Sequence, residues 1–310
     1  MIQLNSQDYF NIILHYSQIF YKEDGIMVRI LSDSTCDLSK DLLEKYNIAI
    51  VPLHIILGEK DYKDGEDISV DEIYEWADAN NATPKTSAIS PEQAMNAMSA
   101  LLEKDEDEVV CFAISESMSS TYSVMNLAAQ ALDAEDRVYC INSQNLSTGI
   151  GLMVIEAAIM AEEGKSAREI VEYIHALRPM VRSSFVVDTL TYLHRGGRCS
   201  SVAAMAGGML KLHPRIAVDG GKMEAGKKYR GKMSKVVLEY VKDMESELLK
   251  AKPERVFITH SGCEQDIIDE VYNYLEQLGV FEEILITRAG SVISSHCGPG
   301  TLGVLFIAQS

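Results

Sequence analysis

A cluster of hydroxyl side chains is the part of this sequence best suited to bind an anion. An apolar run over residues 109–114 leads into Ser119, Ser120 and Thr121, and a helical pattern follows. In α/β proteins, ligands bind where strands end and helices begin. Free N–H groups and the helix dipole favour an anion there, and hydroxyls add donors without charge. The pattern predicts an anion site at Ser119. The alternative is that Ser119 only caps the helix.

A second loop carries the same kind of side chain. Thr86 and Ser87 lie shortly before Ser90 and Pro91, which begin a predicted helix over residues 91–103. Ser90 is the expected N-cap of that helix, with a proline at the first helical position. Thr86 and Ser87 are left without a structural role. We therefore expect the two loops to converge on one head group.

Two basic residues lie beside glycines in the second half of the chain. Arg198 follows Gly196 and Gly197, and His296 precedes the glycine-proline turn at residues 298–300. A lone arginine is usually a solvated charge, and a lone histidine is usually a satisfied core residue. Convergence on the hydroxyl loops would make both functional. The spacing of these residues along the chain does not show whether they converge.

Four sequence motifs typical of enzymes are absent or incomplete in this chain. Residues 221–228 imitate a phosphate-binding loop, but Lys228 stands where a hydroxyl must reach magnesium, and the segment follows a predicted hairpin. Residues 149–154 lack the third glycine of a dinucleotide fingerprint, and helix packing explains the first two better. No serine lies in a nucleophile elbow. The acidic run at residues 103–108 has no histidine partners and is interpreted as a solvated turn rather than a metal site.

The charge balance limits the partners. The 310 residues include 28 basic and 46 acidic ones, which gives a formal charge of −18. Such a chain repels phosphate backbones and anionic lipid surfaces, so we expect no nucleic-acid partner. With 47% hydrophobic residues, the chain is able to bury a real core.

The cysteines and the N-terminal segment indicate the cellular compartment of the protein. The six cysteines show no metal-ligand spacing and are interpreted as small core residues in a reducing compartment. Residues 1–26 lack the features of a signal peptide, and no stretch is apolar enough to span a membrane. We expect a cytoplasmic protein without membrane insertion, and we interpret residues 1–27 as an extension in front of the fold.

Short apolar runs alternate with amphipathic segments up to about residue 182, which predicts βα units around a mostly parallel sheet. The predicted strands there are residues 28–31, 48–53, 109–114 and 138–141, and a capping box at Ser166 begins a helix that ends before Pro179. A second unit is predicted to contain a strand over residues 184–190, a small-residue helix over 199–211, a hairpin at 219–221, helices over 234–250 and 264–278, and strands at 256–259, 284–287 and 303–308. The predicted class is α/β, with domains at residues 28–182 and 183–310.

Taken in order, these segments resemble the DegV family, which includes the FakB fatty-acid-binding subunits of bacterial fatty acid kinase. The resemblance covers the chain after Met27 and is carried by Ser32-Asp33-Ser34-Thr35-Cys36-Asp37-Leu38, residues 62–68, Thr86-Ser87, Ser119-Ser120-Thr121-Tyr122, Gly196-Gly197-Arg198 and His296-Cys297-Gly298-Pro299-Gly300. In three places the chain departs from the family pattern. Ser117 and Ser120 stand where glycines are usual, which predicts a different bend in that loop, and Ala88 and Ile89 replace the usual proline. His213 stands before Pro214 where lysine is usual, which predicts altered docking of a kinase.

The resemblance implies a two-domain fold with an N-terminal Rossmann-like sheet and a C-terminal α/β domain with a mixed sheet. A long-chain fatty acid would be buried between the domains. By position, Ser119 matches the residue that binds the carboxylate, Thr86 and Ser87 match the second hydroxyl loop, and Arg198 and His296 match basic residues near the head group.

The same resemblance implies that a separate kinase phosphorylates the bound carboxylate, and that the acyl phosphate feeds phospholipid synthesis. This chain would then present its substrate without catalysing a reaction and without a cofactor. The alternative is a small-molecule phosphotransferase, or another enzyme, that uses the interdomain cleft.

Overall fold

The computed structural model describes residues 27–203 and 212–309. The predicted extension lies outside this part of the chain except for Met27, and so does most of the helix predicted over residues 199–211. The strands are β1 Val28–Asp33, β2 Ile48–Val51, β3 His54–Leu57, β4 Lys60–Lys63, β5 Lys85–Ser87, β6 Glu108–Ala113, β7 Val138–Asn142, β8 Val181–Val186, β9 Leu212–Asp219, β10 Lys222–Arg230, β11 Ala251–His260, β12 Glu283–Arg288 and β13 Leu302–Ala308. The helices are α1 Lys40–Lys45, α2 Val70–Asn80, α3 Pro91–Leu101, α4 Thr121–Ala131, α5 Thr148–Glu162, α6 Ala167–Leu177, α7 Thr191–Gly196, α8 Ser200–Ala203, α9 Met233–Asp243, α10 Glu245–Leu248, α11 Gln265–Leu278 and α12 Ser291–Cys297.

The first half of the chain forms a four-stranded parallel sheet in the order β2-β1-β6-β7. Its strands are apolar because both faces are covered. Helices α3 and α4 pack on one face through residues such as Met98 and Met125. On the other face lie α5 and α6, which contribute Ile155 and Ile170. The predicted parallel sheet is confirmed, and its strand ends point towards the hydroxyl loops.

The second half forms a six-stranded mixed sheet in the order β10-β9-β8-β13-β11-β12. Only β11 and β12 pair in parallel, and the other neighbours are antiparallel. Helices α9 and α11 cover it through Val237, Tyr240, Val271 and Leu275, all of which are buried. The mixed sheet is confirmed. The assignment of domains to residues 28–182 and 183–310 stays a prediction.

A third sheet was not predicted from the sequence. Strands β3, β4 and β5 form a small antiparallel sheet in the order β4-β3-β5. Thr86 and Ser87 lie on β5, where they pair with Ile55 and His54 of β3. The segment predicted as a loop is therefore a three-residue strand. Three polar residues are too few to show a period of two, so only the pairing with β3 reveals the strand.

Several predicted elements differ from the structure in their bounds, and the strand predicted at residues 256–259 is the longer strand Ala251–His260. The strand predicted over residues 184–190 begins earlier, at Val181, because it starts directly after a 3₁₀ turn over Arg178–Met180, and it ends at Val186. The single helix predicted over residues 234–250 is two helices. Met244 has φ −94° and ψ 0°, and this turn lets both Met244 and Leu248 reach the core.

Local capping agrees with the sequence. Ser90 and Ser166 both form capping boxes, with Gln93 and Glu169 as their partners. All six cysteines are free, and four of them are buried. Within the described residues, every helix is too short or too polar to cross a bilayer.

Candidate functional site

The five residues predicted to bind a head group lie around one cavity. Thr86, Ser87, Ser119, Arg198 and His296 all line a cavity of about 290 Å³. They come from four separate places in the fold, and Thr86 and His296 are 210 positions apart in the sequence. The convergence that spacing along the chain did not show is therefore present in the structure.

Four different segments position the five side chains. Thr86 and Ser87 end β5, and Ser119 lies in the loop that joins β6 to α4. Arg198 follows α7, whose C-cap Gly197 has φ 66°, a left-handed conformation that favours glycine. His296 lies on α12, one residue before that helix ends. The site thus combines a strand end, a helix start and two segments of the second half.

The cavity has a polar end and an apolar remainder. Ser87, Ser120 and Arg198 are exposed, whereas the apolar residues from the sheet and helix interiors are buried. The apolar lining residues are Leu53, Ile114, Met118, Leu146, Met223, Val292, Ile293 and Cys297. The hydroxyls and the guanidinium therefore lie towards solvent, and the apolar part extends inwards from them.

A smaller cavity of about 30 Å³ is next to the first one. Leu146, Ile293 and Cys297 line both cavities, and the buried side chains of Phe185 and Leu305 line the inner one. The two cavities therefore share one wall. An extended apolar ligand would pass these three side chains to reach the inner space.

Thr86 and His296 form a hydrogen bond at the polar end. Thr86 Oγ1 is 2.7 Å from His296 Nε2. His296 Nδ1 is buried with no partner among the described residues, and a Cβ on Gly196 would fall 2.4 Å from it. A buried N–H without an acceptor is rarer than an unused lone pair. We therefore assign the proton to Nε2, which donates to Thr86. The Thr86 hydroxyl hydrogen is then free to donate into the cavity.

The imidazole of His296 is held neutral. Burial lowers the pKa of His296 to about 4, and the nearby positive charge of Arg198 acts in the same direction. At neutral pH the ring therefore acts as a hydrogen-bonding group rather than as a cation. Arg198 is left as the cationic side chain among the five predicted residues.

This low pKa predicts a pH dependence of stability. Between pH 6.5 and about 4 the unfolded chain binds a proton at His296 that the folded chain does not. His296 alone should therefore lower the free energy of unfolding as the pH falls through this window, by about 2 kcal/mol at pH 5. Chemical denaturation of the wild type and of His296→Gln at pH 7 and pH 5 isolates this contribution, because the contributions of the other titrating groups are common to both proteins. An equal change in both proteins would contradict the assignment.

Ser119 lies one residue before the N-cap of α4. The N-cap residue is Ser120, which makes no side-chain capping bond. Ser119 Oγ accepts from the Thr121 N–H at 3.3 Å and lies 2.9 Å from Thr121 Oγ1. The hydroxyl hydrogen of Ser119 can point either to Thr121 or into the cavity. Ser119 therefore satisfies one free N–H at the start of α4 without being its N-cap residue, and the choice between a structural role and an anion-binding role stays a prediction.

We expect Ser119→Ala to weaken the retention of an anionic ligand. The variant loses a donor to a charged group, which is worth about 1.5–3 kcal/mol. The free energy of unfolding should change by no more than about 1 kcal/mol, since only a local turn bond is lost. Ligand recovered from the purified variant measures retention, and thermal unfolding measures stability. Unchanged retention would remove Ser119 from the site.

Arg198 is oriented by backbone carbonyl groups. Its Nη1 donates to Gly196 O at 2.7 Å, and its Nε donates to Met118 O at 3.4 Å. Arg198 Nη2 has no hydrogen-bond partner within residues 27–203 and 212–309. Because the guanidinium is held beside the cavity without a carboxylate of its own, it can pair with an anion that enters from solvent.

The loop tolerates serine where the family usually has glycine. Ser120 has φ −80°, and Ser117 is not among the residues with positive φ. Neither position needs the left-handed conformation that favours glycine. The hydroxyl of Ser117 donates to Gly221 O, and so does that of Ser115, at 2.7 Å. These serines connect the loop to the β9–β10 turn.

The sequence did not indicate that residues from the second half of the chain form an apolar wall of the cavity. Met223 of β10 and four residues of α12 line the cavity. On α12 these are Val292, Ile293, His296 and Cys297, which share one helix face because residues three and four apart are neighbours. The helical spacing in residues 291–297 was the available signal, but the following glycine-proline turn obscured it. No group of three or more His, Cys, Asp or Glu in the described part of the chain is placed to hold a metal ion.

Comparison with known proteins identifies the family. A family model described as "Uncharacterised protein, DegV family" matches residues 27–309. The chain belongs to the DegV family. A DegV domain-containing protein from Caldanaerobacter subterraneus subsp. tengcongensis is 31% identical over 281 residues, which are 90% of this chain and 98% of the relative.

Solved DegV structures share the fold. A DegV family protein from Thermus thermophilus, described by its fatty acid binding, has a TM-score of 0.84 and 32% identity over 92% of this chain and all of that chain. A stearic acid-binding protein from Eubacterium ventriosum has a TM-score of 0.80 and 31% identity over 91% of this chain and 98% of that chain. The DegV fold is thus found in proteins that bind fatty acids.

Proposed function

We propose that this DegV protein binds a long-chain fatty acid, with the carboxylate at the polar end of the cavity and the tail in its apolar part. The observation that carries the proposal is the division of one cavity into two regions. Thr86, Ser119 and Arg198 offer hydrogen-bond donors at the exposed end, and buried apolar side chains line the rest. The fatty acids bound by the relatives from Thermus and Eubacterium support it.

The two regions contribute differently to binding. An alkyl tail gains about 0.8 kcal/mol for each CH₂ removed from water, so the apolar region supplies most of the affinity. A carboxylate next to a desolvated wall is costly unless hydrogen bonds or a countercharge satisfy it. The hydroxyls of Thr86 and Ser119, with the Arg198 guanidinium, meet that requirement and set the orientation of the ligand.

The proposed role is that of a carrier which presents the carboxylate to a kinase. The head group lies at the exposed end, where another protein can reach it, and burial lowers the pKa of His296 to about 4. Phosphorylation of the carboxylate by a partner would give an acyl phosphate for phospholipid synthesis. Because such a reaction would consume ATP, the proposal includes a cytoplasmic location for the carrier.

A trapping experiment separates the carrier from an enzyme. The fatty-acid-loaded protein is incubated with ATP and hydroxylamine, with or without the catalytic subunit of a bacterial fatty acid kinase. We expect the acyl hydroxamate, formed from the acyl phosphate, only when the kinase subunit is present. Product formation by the chain alone would support a phosphotransferase that uses the same cleft. Absence of product with an active kinase subunit would overturn the presenting role.

A further inference from the structure

Two buried aspartates from the first half of the chain hold the start of α12. Asp37 Oδ1 accepts the N–H of Gly290 at 2.8 Å, and Asp64 Oδ1 accepts the N–H of Ser291 at 2.7 Å. Gly290 is the N-cap of α12 and has no side chain to accept these bonds. The free donors at this helix end are thus satisfied by carboxyl groups more than 220 positions away in the sequence.

The second oxygen of each carboxyl group is also bonded. Asp37 Oδ2 accepts from Ser147 Oγ at 2.5 Å, and Asp64 Oδ2 accepts from Ser34 Oγ at 2.9 Å. The exposed fractions of Asp37 and Asp64 are 6% and 4%, and neither forms a salt bridge within the described residues. Burial raises the pKa of both. Buried carboxyl groups are costly, so core stability alone is a poor explanation for two of them at this helix end.

Helix α12 joins these aspartates to the head-group end of the cavity. His296 is the sixth of its seven residues, about 8 Å along the axis from the first turn. Val292 and Ile293 line the cavity from the same helix. A shift at the start of so short a helix moves His296 relative to Thr86 on β5. The 2.7 Å bond between them would then lengthen, and the Thr86 hydroxyl would lose its orientation.

We propose that Asp37 and Asp64 are positioning residues for the head-group site. They hold the first turn of α12, and through that helix they place His296 so that Thr86 can donate to the ligand. The inference rests on the proposed binding of a fatty acid. It gives a role to the aspartates of the segments at residues 32–38 and 62–68, which do not line the cavity.

The test compares two ligands with the same tail and different heads. Delipidated protein is titrated with hexadecanoic acid and with hexadecan-1-ol, and the ratio of the two dissociation constants reports the head-group site alone. For Asp64→Ala we expect the preference for the acid to fall about tenfold, since one bond to a charged group is misdirected. Asp64→Asn keeps an oxygen acceptor for the Ser291 N–H and should restore the preference to within about twofold.

Three further variants show whether the effect passes through α12. Ser291→Pro removes the N–H group that donates to Asp64, at the first helical position, where proline is tolerated. It should lower the preference for the acid as much as Asp64→Ala does. This variant therefore tests the same contact if Asp64→Ala fails to fold. In a His296→Gln background, Asp64→Ala should cause no further loss of preference. Asp107→Ala is the matched control. Asp107 is a buried aspartate that accepts from the backbone N–H groups of Met27 and Lys104 and lines neither cavity, so its loss should leave the preference unchanged.

The outcomes distinguish the positioning role from the function on which it rests. A wild-type protein that shows no preference for the acid overturns the proposed function. A wild-type preference that survives in both Asp64→Ala and Ser291→Pro overturns the positioning role alone. An equal loss of preference in Asp107→Ala would also overturn it, because the effect would then follow from any buried aspartate.

Discussion

Thr86→Val is expected to lower the affinity for a long-chain fatty acid by about ten- to a hundredfold. Valine keeps the shape of threonine but removes the hydroxyl that is oriented by His296. A hydrogen bond to a charged group is worth about 1.5–3 kcal/mol, which corresponds to this range. The loss should appear for the acid and not for an alcohol with the same tail. Titration calorimetry on the delipidated protein measures both ligands.

Thr83→Val is the control for this prediction. Thr83 lies just before β5, and its hydroxyl accepts from Arg195 at 3.1 Å outside the cavity. The substitution is the same, but the affinity for the acid should not change. If the two variants bind alike, the Thr86 hydroxyl does not contact the ligand, and the assignment of the His296 proton to Nε2 loses its functional consequence.

The second large effect is expected at the wall between the two cavities. Ile293→Trp should fill the passage from the 290 Å³ cavity to the 30 Å³ cavity. Each CH₂ that no longer enters costs about 0.8 kcal/mol, or about fourfold in affinity. A tail shortened by four carbons in the site would thus bind about 200-fold more weakly. Shorter fatty acids that do not reach Ile293 should keep their affinity.

Affinities for a series of saturated fatty acids measure this effect. In Ile293→Trp, affinity should stop rising at a certain tail length. In the wild type, it should continue to rise for longer tails. Ile293→Leu conserves the volume and should leave the series unchanged. Thermal unfolding of both variants controls for overpacking, which costs about 1–3 kcal/mol. A common loss at every tail length would mean that the tail does not pass Ile293.

Much of the fold could be predicted from local patterns. The strands of the parallel sheet are short apolar runs, and Ser90 and Ser166 mark helix starts through capping boxes that need only nearby residues. The strand β5 could not be predicted, because three polar residues carry no period of their own and depend on β3 for their conformation. Likewise, the break at Met244 follows from tertiary packing rather than from helix propensity.

The candidate site was predictable in its parts but not in its geometry. Ser119 and Thr86 were indicated by hydroxyls near helix starts, and Arg198 and His296 by their family motifs. Their meeting at one cavity depends on how the mixed sheet packs against the parallel one, which no spacing along the chain encodes. The same holds for Asp37 and Asp64. Their motifs were visible in the sequence, but their bonds to α12 exist only once both halves have folded.

The most direct test of the central proposal is the chemical content of the purified protein. Solvent extraction followed by mass spectrometry, with the protein quantified in the same sample, gives the amount of fatty acid for each chain. We expect stoichiometric recovery of long-chain fatty acid from the wild type. An extract without fatty acid, from a folded protein that alone transfers a phosphoryl group to a small molecule, would contradict the account.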